Sequence, residues 1–114
     1  FMTDKNNNVE KKIFELHARV CKSLSHPKRL EIIELLRNDK EKGVSEIAEK
    51  LGITKANVSQ HLAIMRGQNI VKTRREGITI FYSLTNPKII IAYDALRKAL
   101  KEQLETNGKL LEKF

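Results

Sequence analysis

The sequence predicts a mainly α-helical domain with one small β-hairpin, and three observations predict it. First, Val44 to Met65 carries two apolar stripes at helical spacing with Gly52 between them. Second, Ile70 to Leu84 switches to alternation, with Ile78, Ile80, Tyr82 and Leu84 on one side and Gly77 at a turn position. Third, the outer stretches Val9 to Leu24 and Pro87 to Thr106 repeat apolar residues every three or four positions. Helical and strand periods differ enough to separate these classes.

In chain order, Phe1 precedes Met2 and reads as an expression leftover,. Thr3 to Asn8 is polar and asparagine-rich, so residues 1–8 are expected to form a flexible arm before a single domain over 9–114,. A first helix is expected over Val9–Leu24. Ile13, Leu16, Val20 and Leu24 line one side, with Phe14, His17 and Cys21 beside them. Ser25-His26-Pro27 interrupts it, and proline suits the first position of the next helix, where its missing N–H has no partner to lose,. That second helix is expected from Pro27 to Asn38 with Leu30, Ile33 and Leu36 inward, followed by a charged loop to Gly43.

The next helix places Val44, Ile47, Ala48 and Leu51 on one face,. Gly52 can take the left-handed conformation that reverses the chain, Ile53 plugs the turn, and Thr54 can cap the following helix,. Over 54–66, Val58, Leu62 and Met65 face inward, and Ala56, Asn57, Ser59, Gln60 and Ala63 face outward. An ordinary solvent face carries Lys and Glu. This one offers small or hydrogen-bonding side chains and no anion, as a helix lying in a DNA major groove requires. Asn69 can supply a left-handed residue after it. The hairpin over 70–84 follows, with Arg74 and Arg75 near its tip. Asn86-Pro87 then reads as a cap and first-turn proline. The last helix runs to about Thr106, with Ala92, Leu96, Leu100 and Leu104 spaced by four and Tyr93 and Ala99 close by. Gly108 is expected to end or bend it, and Leu110, Leu111 and Phe114 form a last apolar patch.

This order is that of a winged helix-turn-helix. The first and last helices carry more apolar surface than a three-helix core can cover, so a two-fold homodimer is expected. Its interface would be formed by Ile13, Leu16, Val20, Tyr93, Leu96, Leu100 and Leu104,.

Charge agrees. The 114 residues hold 22 Lys and Arg against 14 Asp and Glu, a net +8. Between Thr54 and Arg75 there are five cations (Lys55, Arg66, Lys72, Arg74, Arg75) and no acid, so the excess sits beside the reading helix,. No apolar run approaches a membrane span and no signal peptide is visible, so a cytoplasmic protein without membrane contact is expected,. The single cysteine excludes an internal disulfide and a multi-cysteine metal cage,. No Gly-rich phosphate loop, nucleophile with a placed base, or recognisable pair of acids marks an enzyme.

SHPKRLEIIELL followed by VSEIAEKLGITKANVSQHLAIMRGQNIVKTRREGITIFYSL resembles the ArsR (ArsR/SmtB) family of winged-helix repressors. The likeness spans about Ala18 to Leu84. It is most specific at His26-Pro27-x-Arg29-Leu30, at Val58-Ser59-Gln60-His61-Leu62, and at Arg74-Arg75-Glu76-Gly77 with Tyr82-Ser83-Leu84. One departure is Asn69, where the family usually has glycine. The resemblance implies a homodimer on a palindromic double-stranded operator, with DNA contacts at Lys55, Asn57, Ser59, Gln60 and His61 and wing contacts at Arg74 and Arg75. Gln60 and Asn57 can pair bidentately with adenine. His61 lies at the border of the core stripe, so a structural or phosphate-anchoring role competes there with base reading.

The resemblance also locates sensor sites. The arsenic-type cysteine positions correspond to Gly43, Ser45 and Ala48. The zinc-type positions correspond to Asn86, Lys88, Ala99 and Glu102, of which only Glu102 can ligate,. The persulfide type needs two cysteines. No metal and no cofactor is therefore expected, and the small effector is unidentified. His17 and Cys21, four apart, remain as a candidate sensor: two ligands of an ion shared between subunits, or Cys21 as a redox switch. The bland reading makes Cys21 a small buried residue and His17 a filler of the dimer seam. Two other functions fit parts of the pattern: a sequence-neutral basic DNA-binding protein, and a winged-helix module that docks another protein.

Overall fold

The computed structural model describes residues 4–108. They form α1 (Asp4–Ser23), α2 (Pro27–Leu35), α3 (Val44–Leu51), α4 (Lys55–Gly67), β1 (Val71–Glu76), β2 (Thr79–Leu84) and α5 (Lys88–Thr106). The expected order of elements is observed, and local chemistry explains most boundaries. Pro27 opens α2, and the His26 ring accepts from the Lys28 backbone N–H. Gly52 closes α3 at φ 66°. Thr54 Oγ1 accepts from Asn57 N–H at 3.1 Å and starts α4. Asn69, at φ 59°, ends the run after α4, and Ile70 N–H donates to Met65 O at 2.9 Å. An asparagine tolerates this left-handed conformation better than most residues.

The strands pair antiparallel from Val71 opposite Leu84 to Glu76 opposite Thr79. Gly77 at φ 61° occupies the first of the two loop positions, where a tight hairpin turn needs a positive φ,. The loop after α2 is not a free charged segment. Asn38 and Asp39 both take positive φ, and the chain then pairs Lys42 with Tyr82 through reciprocal backbone bonds of 3.0 and 2.9 Å. The hairpin thus leans on the α2–α3 connection.

Four expectations need correction. α1 begins at Asp4, so residues 4–8 continue the first helix rather than forming an arm. α2 ends at Leu35, with Leu36 as its cap, short of Asn38. Leu30 is 39% exposed and Ile32 is buried in its place, because the inward face of α2 is centred on Ile32, Ile33 and Leu36. α5 begins at Lys88, although the Asn86 side chain does accept from Lys88 N–H at 2.9 Å, and it closes at Asn107, one residue before Gly108. Phe1, Leu110, Leu111 and Phe114 lie outside the described residues.

The buried core comes from α2 (Ile32, Ile33 and its cap Leu36), α3 (Ile47, Ala48), α4 (Val58, Leu62, Met65) and the hairpin base (Ile70, Val71). α1 and α5 add only partly buried side chains: Val20 from the first, and Ile89, Ile90 and Tyr93 from the second. An ionic clamp also holds α5. Arg37 Nη1 and Nη2 donate to Asp94 at 2.9 and 2.6 Å, while Nη2 also donates to Glu34 at 2.8 Å. The radius of gyration is 17.0 Å. A compact chain of this length gives about 13 Å, and the excess reflects two arms reaching beyond the core.

Candidate nucleic-acid interface

α4 is anchored by one face and open on the other. Val58, Leu62 and Met65 are each fully buried. Lys55, Ala56, Asn57, Ser59, Gln60 and Ala63 are exposed. Among the described residues the Asn57, Ser59 and Gln60 side chains have no protein partner, so their donors and acceptors face solvent. The Thr54 cap fixes the entry of this helix, and the α3–α4 turn fixes its direction. The polar edges therefore lie on a rigid element, which a recognition surface requires.

His61 differs from its neighbours. It is half-buried, and its Nδ1 accepts from Arg29 Nε at 3.1 Å. A ring that accepts at Nδ1 is neutral and carries its proton on Nε2. The His26 ring lies tilted against it, with centroids 4.6 Å apart. Burial first, then the neighbouring His26 and Arg29, push the His61 imidazole below the ordinary histidine range,. Its Nδ1 edge is therefore committed to Arg29.

The wing separates its two arginines. Side chains alternate along a strand, so Arg74 shares a face with Phe81 and Arg75 shares the other with Ile80, their cross-strand partners. Arg74 Nε donates to both oxygens of Glu41, at 3.0 and 2.9 Å, and Nη1 to Glu76 at 3.0 Å. Its guanidinium also lies 5.0 Å from the Phe81 ring centre. The Arg74 bond holds the Glu41 carboxyl below the usual carboxylate range. Among the described residues Arg75 is exposed and has no carboxylate partner. The two arginines look equivalent in sequence, but only Arg75 presents an uncommitted cation. Glu41 had no sequence signal. Arg29 stood inside a noted motif but had no assigned role.

The outer helices show the expected uncovered faces. Ile13 is 52% and Leu16 51% exposed on α1, and Leu96 is 63% and Leu100 50% exposed on α5. Leu104 is half-buried. Val20 and Tyr93, read as interface residues, are partly buried against the chain's own core, and Tyr93 Oη accepts from Arg97 Nη1. His17 and Cys21 are both exposed on α1, so within one chain Cys21 is not a buried filler. Among the described residues no three His, Cys, Asp or Glu side chains are grouped to hold a metal ion. Among the same residues no helix is long and apolar enough to cross a membrane.

Comparison with known proteins agrees with this geometry. The family model described as bacterial regulatory protein, arsR family, matches residues 26–73. The transcriptional repressor PagR of Bacillus anthracis is 37% identical over 84 residues, 74% of this chain and 84% of PagR. The crystal structure of Mycobacterium tuberculosis Rv0081 superimposes with a TM-score of 0.75 at 32% identity, covering 83% of this chain and 95% of that one. The solution structure of Mb0332 from Mycobacterium bovis is described as a homodimeric winged helix-turn-helix DNA-binding domain. It gives a TM-score of 0.77 at 25% identity, over 91% of this chain and 92% of that one. Fold, motif order and sequence identity together place the chain in the arsR family of bacterial regulatory proteins.

Proposed function

We propose that the chain is a DNA-binding transcriptional regulator that acts as a homodimer on a palindromic operator. One observation carries the reading: α4 presents an acid-free face of unpartnered polar side chains on a capped, well-packed helix. In this reading Lys55, Asn57, Ser59 and Gln60 enter the major groove, with Gln60 and Asn57 suited to adenine. Arg75 reaches the backbone or minor groove from the wing, and Arg74 joins it only by exchanging its carboxylate partners. His61 keeps Nδ1 on Arg29 and offers Nε2–H outward. The exposed faces of α1 and α5 meet their copies about a two-fold axis, through Ile13, Leu16, Leu96, Leu100 and Leu104. This sets the two reading helices to face half-sites in successive grooves. The name of PagR supports a repressor, and the description of Mb0332 supports a homodimer. Such a protein works in the cytoplasm and releases DNA on a signal that lies outside the known arsenic and zinc positions.

Selection of bound duplexes from a random DNA pool tests this. A single imperfect palindrome is expected, bound about a thousandfold tighter than random sequence at moderate salt. Gln60→Ala is expected to relax preference at one base in each half-site, with a discrimination loss of about 1–3 kcal/mol there. A pool that stays unenriched overturns the operator reading. Repeating the selection with zinc, cadmium, arsenite, an oxidant or a persulfide donor identifies the signal if it is among them.

A further inference from the structure

One guanidinium connects the dimer arm to the reading helix. Arg29 Nη1 donates to Ser23 O at 2.8 Å, and Nε donates to His61 Nδ1 at 3.1 Å. Ser23 is the last residue of α1 and is buried, and its carbonyl belongs to the group that a helix end leaves without an internal partner,. Arg29 thus caps α1 and holds α4 at once. Among the described residues, apolar contact between α1 and the core lies at its C-terminal end, at Val20 and, just beyond the helix, Leu24. With so little packing there, a directional polar link has more influence on how the arm and the reading helix are set relative to each other.

We propose that Arg29 and His61 form a positioning junction that sets the reading helix relative to the dimer arm, and that it holds only while His61 is neutral. The inference rests on the homodimeric DNA-binding reading above. The acceptor at His61 is a ring lone pair. A proton placed on Nδ1 removes that acceptor and turns a second N–H toward the Arg29 donor. The titratable and charged groups set against His61 are Arg29 on α2 and His26 at its head. Among the described residues no carboxylate is paired with this cluster, so an imidazolium there faces only like charge or another imidazole. The depressed His61 titration agrees: the folded state favours the neutral ring. Its contribution is therefore complete above the ordinary histidine range. It is lost as pH falls through that range toward the lowered folded value. A half-site duplex needs one reading helix and is indifferent to its setting against the arm. A palindrome needs two helices at fixed separation. Loss of the junction is therefore expected to reduce preference for the palindrome over a half-site while sparing half-site binding. Added positive charge alone would strengthen both at acid pH.

The test compares binding of the selected palindrome and of its isolated half-site at pH 8 and at an acid pH where imidazole nitrogen NMR shows His61 protonated, the same spectra reporting its tautomer. In the wild type, the palindrome preference is expected to fall about tenfold at the acid pH, the size of a charge-assisted hydrogen bond expressed as a ratio. His61→Gln keeps an acceptor without a titration, so its palindrome preference is expected not to change with pH. Arg29→Met is expected to show the low preference at both pH values, and Arg29→Lys to restore it only in part. If Arg29→Met is too unstable to measure, the wild-type and His61→Gln profiles decide. An Nδ1-protonated neutral tautomer, or equal pH dependence in wild type and His61→Gln, overturns the junction. A wild-type protein that prefers no palindrome at pH 8 overturns the operator reading instead, and the NMR result then still reports on the Arg29–His61 bond.

Discussion

The body and the arms of this fold use the same residue pattern to different ends. In the body, the apolar stripes of α2, α3 and α4 close on one another, and Ile47, Val58, Leu62 and Met65 are fully buried within one chain. In the arms, α1 and α5 carry stripes that read just as strongly in sequence, yet Ile13, Leu16, Leu96 and Leu100 stay at least half exposed. Periodicity identifies a face that needs covering. It does not say whether the cover comes from the same chain or from another copy. Large exposed apolar stripes on a small domain are a mark of association, and here they run along the two helices that contribute only partly buried apolar side chains to the core.

The largest expected effect breaks that distinction at the arms. Leu96→Lys together with Leu100→Lys puts charge on a surface that one chain leaves open, so the monomer should fold. In the proposed dimer the same lysines would face their copies across an apolar seam. Sedimentation is expected to report a monomer. Operator affinity is expected to fall roughly a hundredfold or more once the two reading helices are no longer linked. A variant that remains dimeric and binds normally would place the interface elsewhere.

A second, smaller effect sharpens the contrast through concentration. Leu62→Ala opens a cavity in the body and is expected to cost about 2–5 kcal/mol in urea unfolding, whatever the protein concentration. Leu100→Ala acts only through association. Its cost should shrink as the protein is diluted and the dimer dissociates. If both variants respond to dilution alike, body and arms are a single cooperative unit.

What was legible in the sequence divides along a related line. Short-range chemistry could be read: Gly52 and Gly77 at positive φ, Asn69 in place of a glycine, and Thr54 as a cap. Each involves residues within a few positions, where backbone geometry limits the choices. The outward face of α4 was legible for the same reason, since one helical period fixes it. The long-range contacts were not. Arg29 with His61, Arg37 with Asp94 and Arg74 with Glu41 join elements 32, 57 and 33 residues apart. A surface arginine has several carboxylates within reach of a plausible fold, and only packing selects one. Leu30 and Ile32 were exchanged because a short helix with adjacent apolar residues has two nearly equal inward faces. Which one is buried depends on where α3 and α4 press. The first turn of α1 was missed because asparagines read as loop-forming when nothing nearby favours a helix.

The smallest expected effect lies within the body, on the wing. Arg74 and Arg75 are adjacent, exposed and alike in composition, but one is satisfied by Glu41 and Glu76 and the other is not. Salt dependence separates them, because each phosphate neutralised by a cation releases counterions and adds about 1 to the slope of log affinity against log salt. Arg75→Ala is expected to reduce that slope by about 1 and to weaken all sequences alike. Arg74→Ala is expected to reduce it less, since the arginine gives up two carboxylates before it can take a phosphate. Glu41→Gln should move Arg74 toward Arg75, steepening the slope. Equal slopes for Arg74→Ala and Arg75→Ala, with Glu41→Gln silent, would mean that the wing rearranges fully on DNA and that partners in the free protein do not predict contacts in the complex. The rule drawn from the arms, that groups left unsatisfied in the single chain are the ones used for binding, would then apply to its apolar faces but not to its charges.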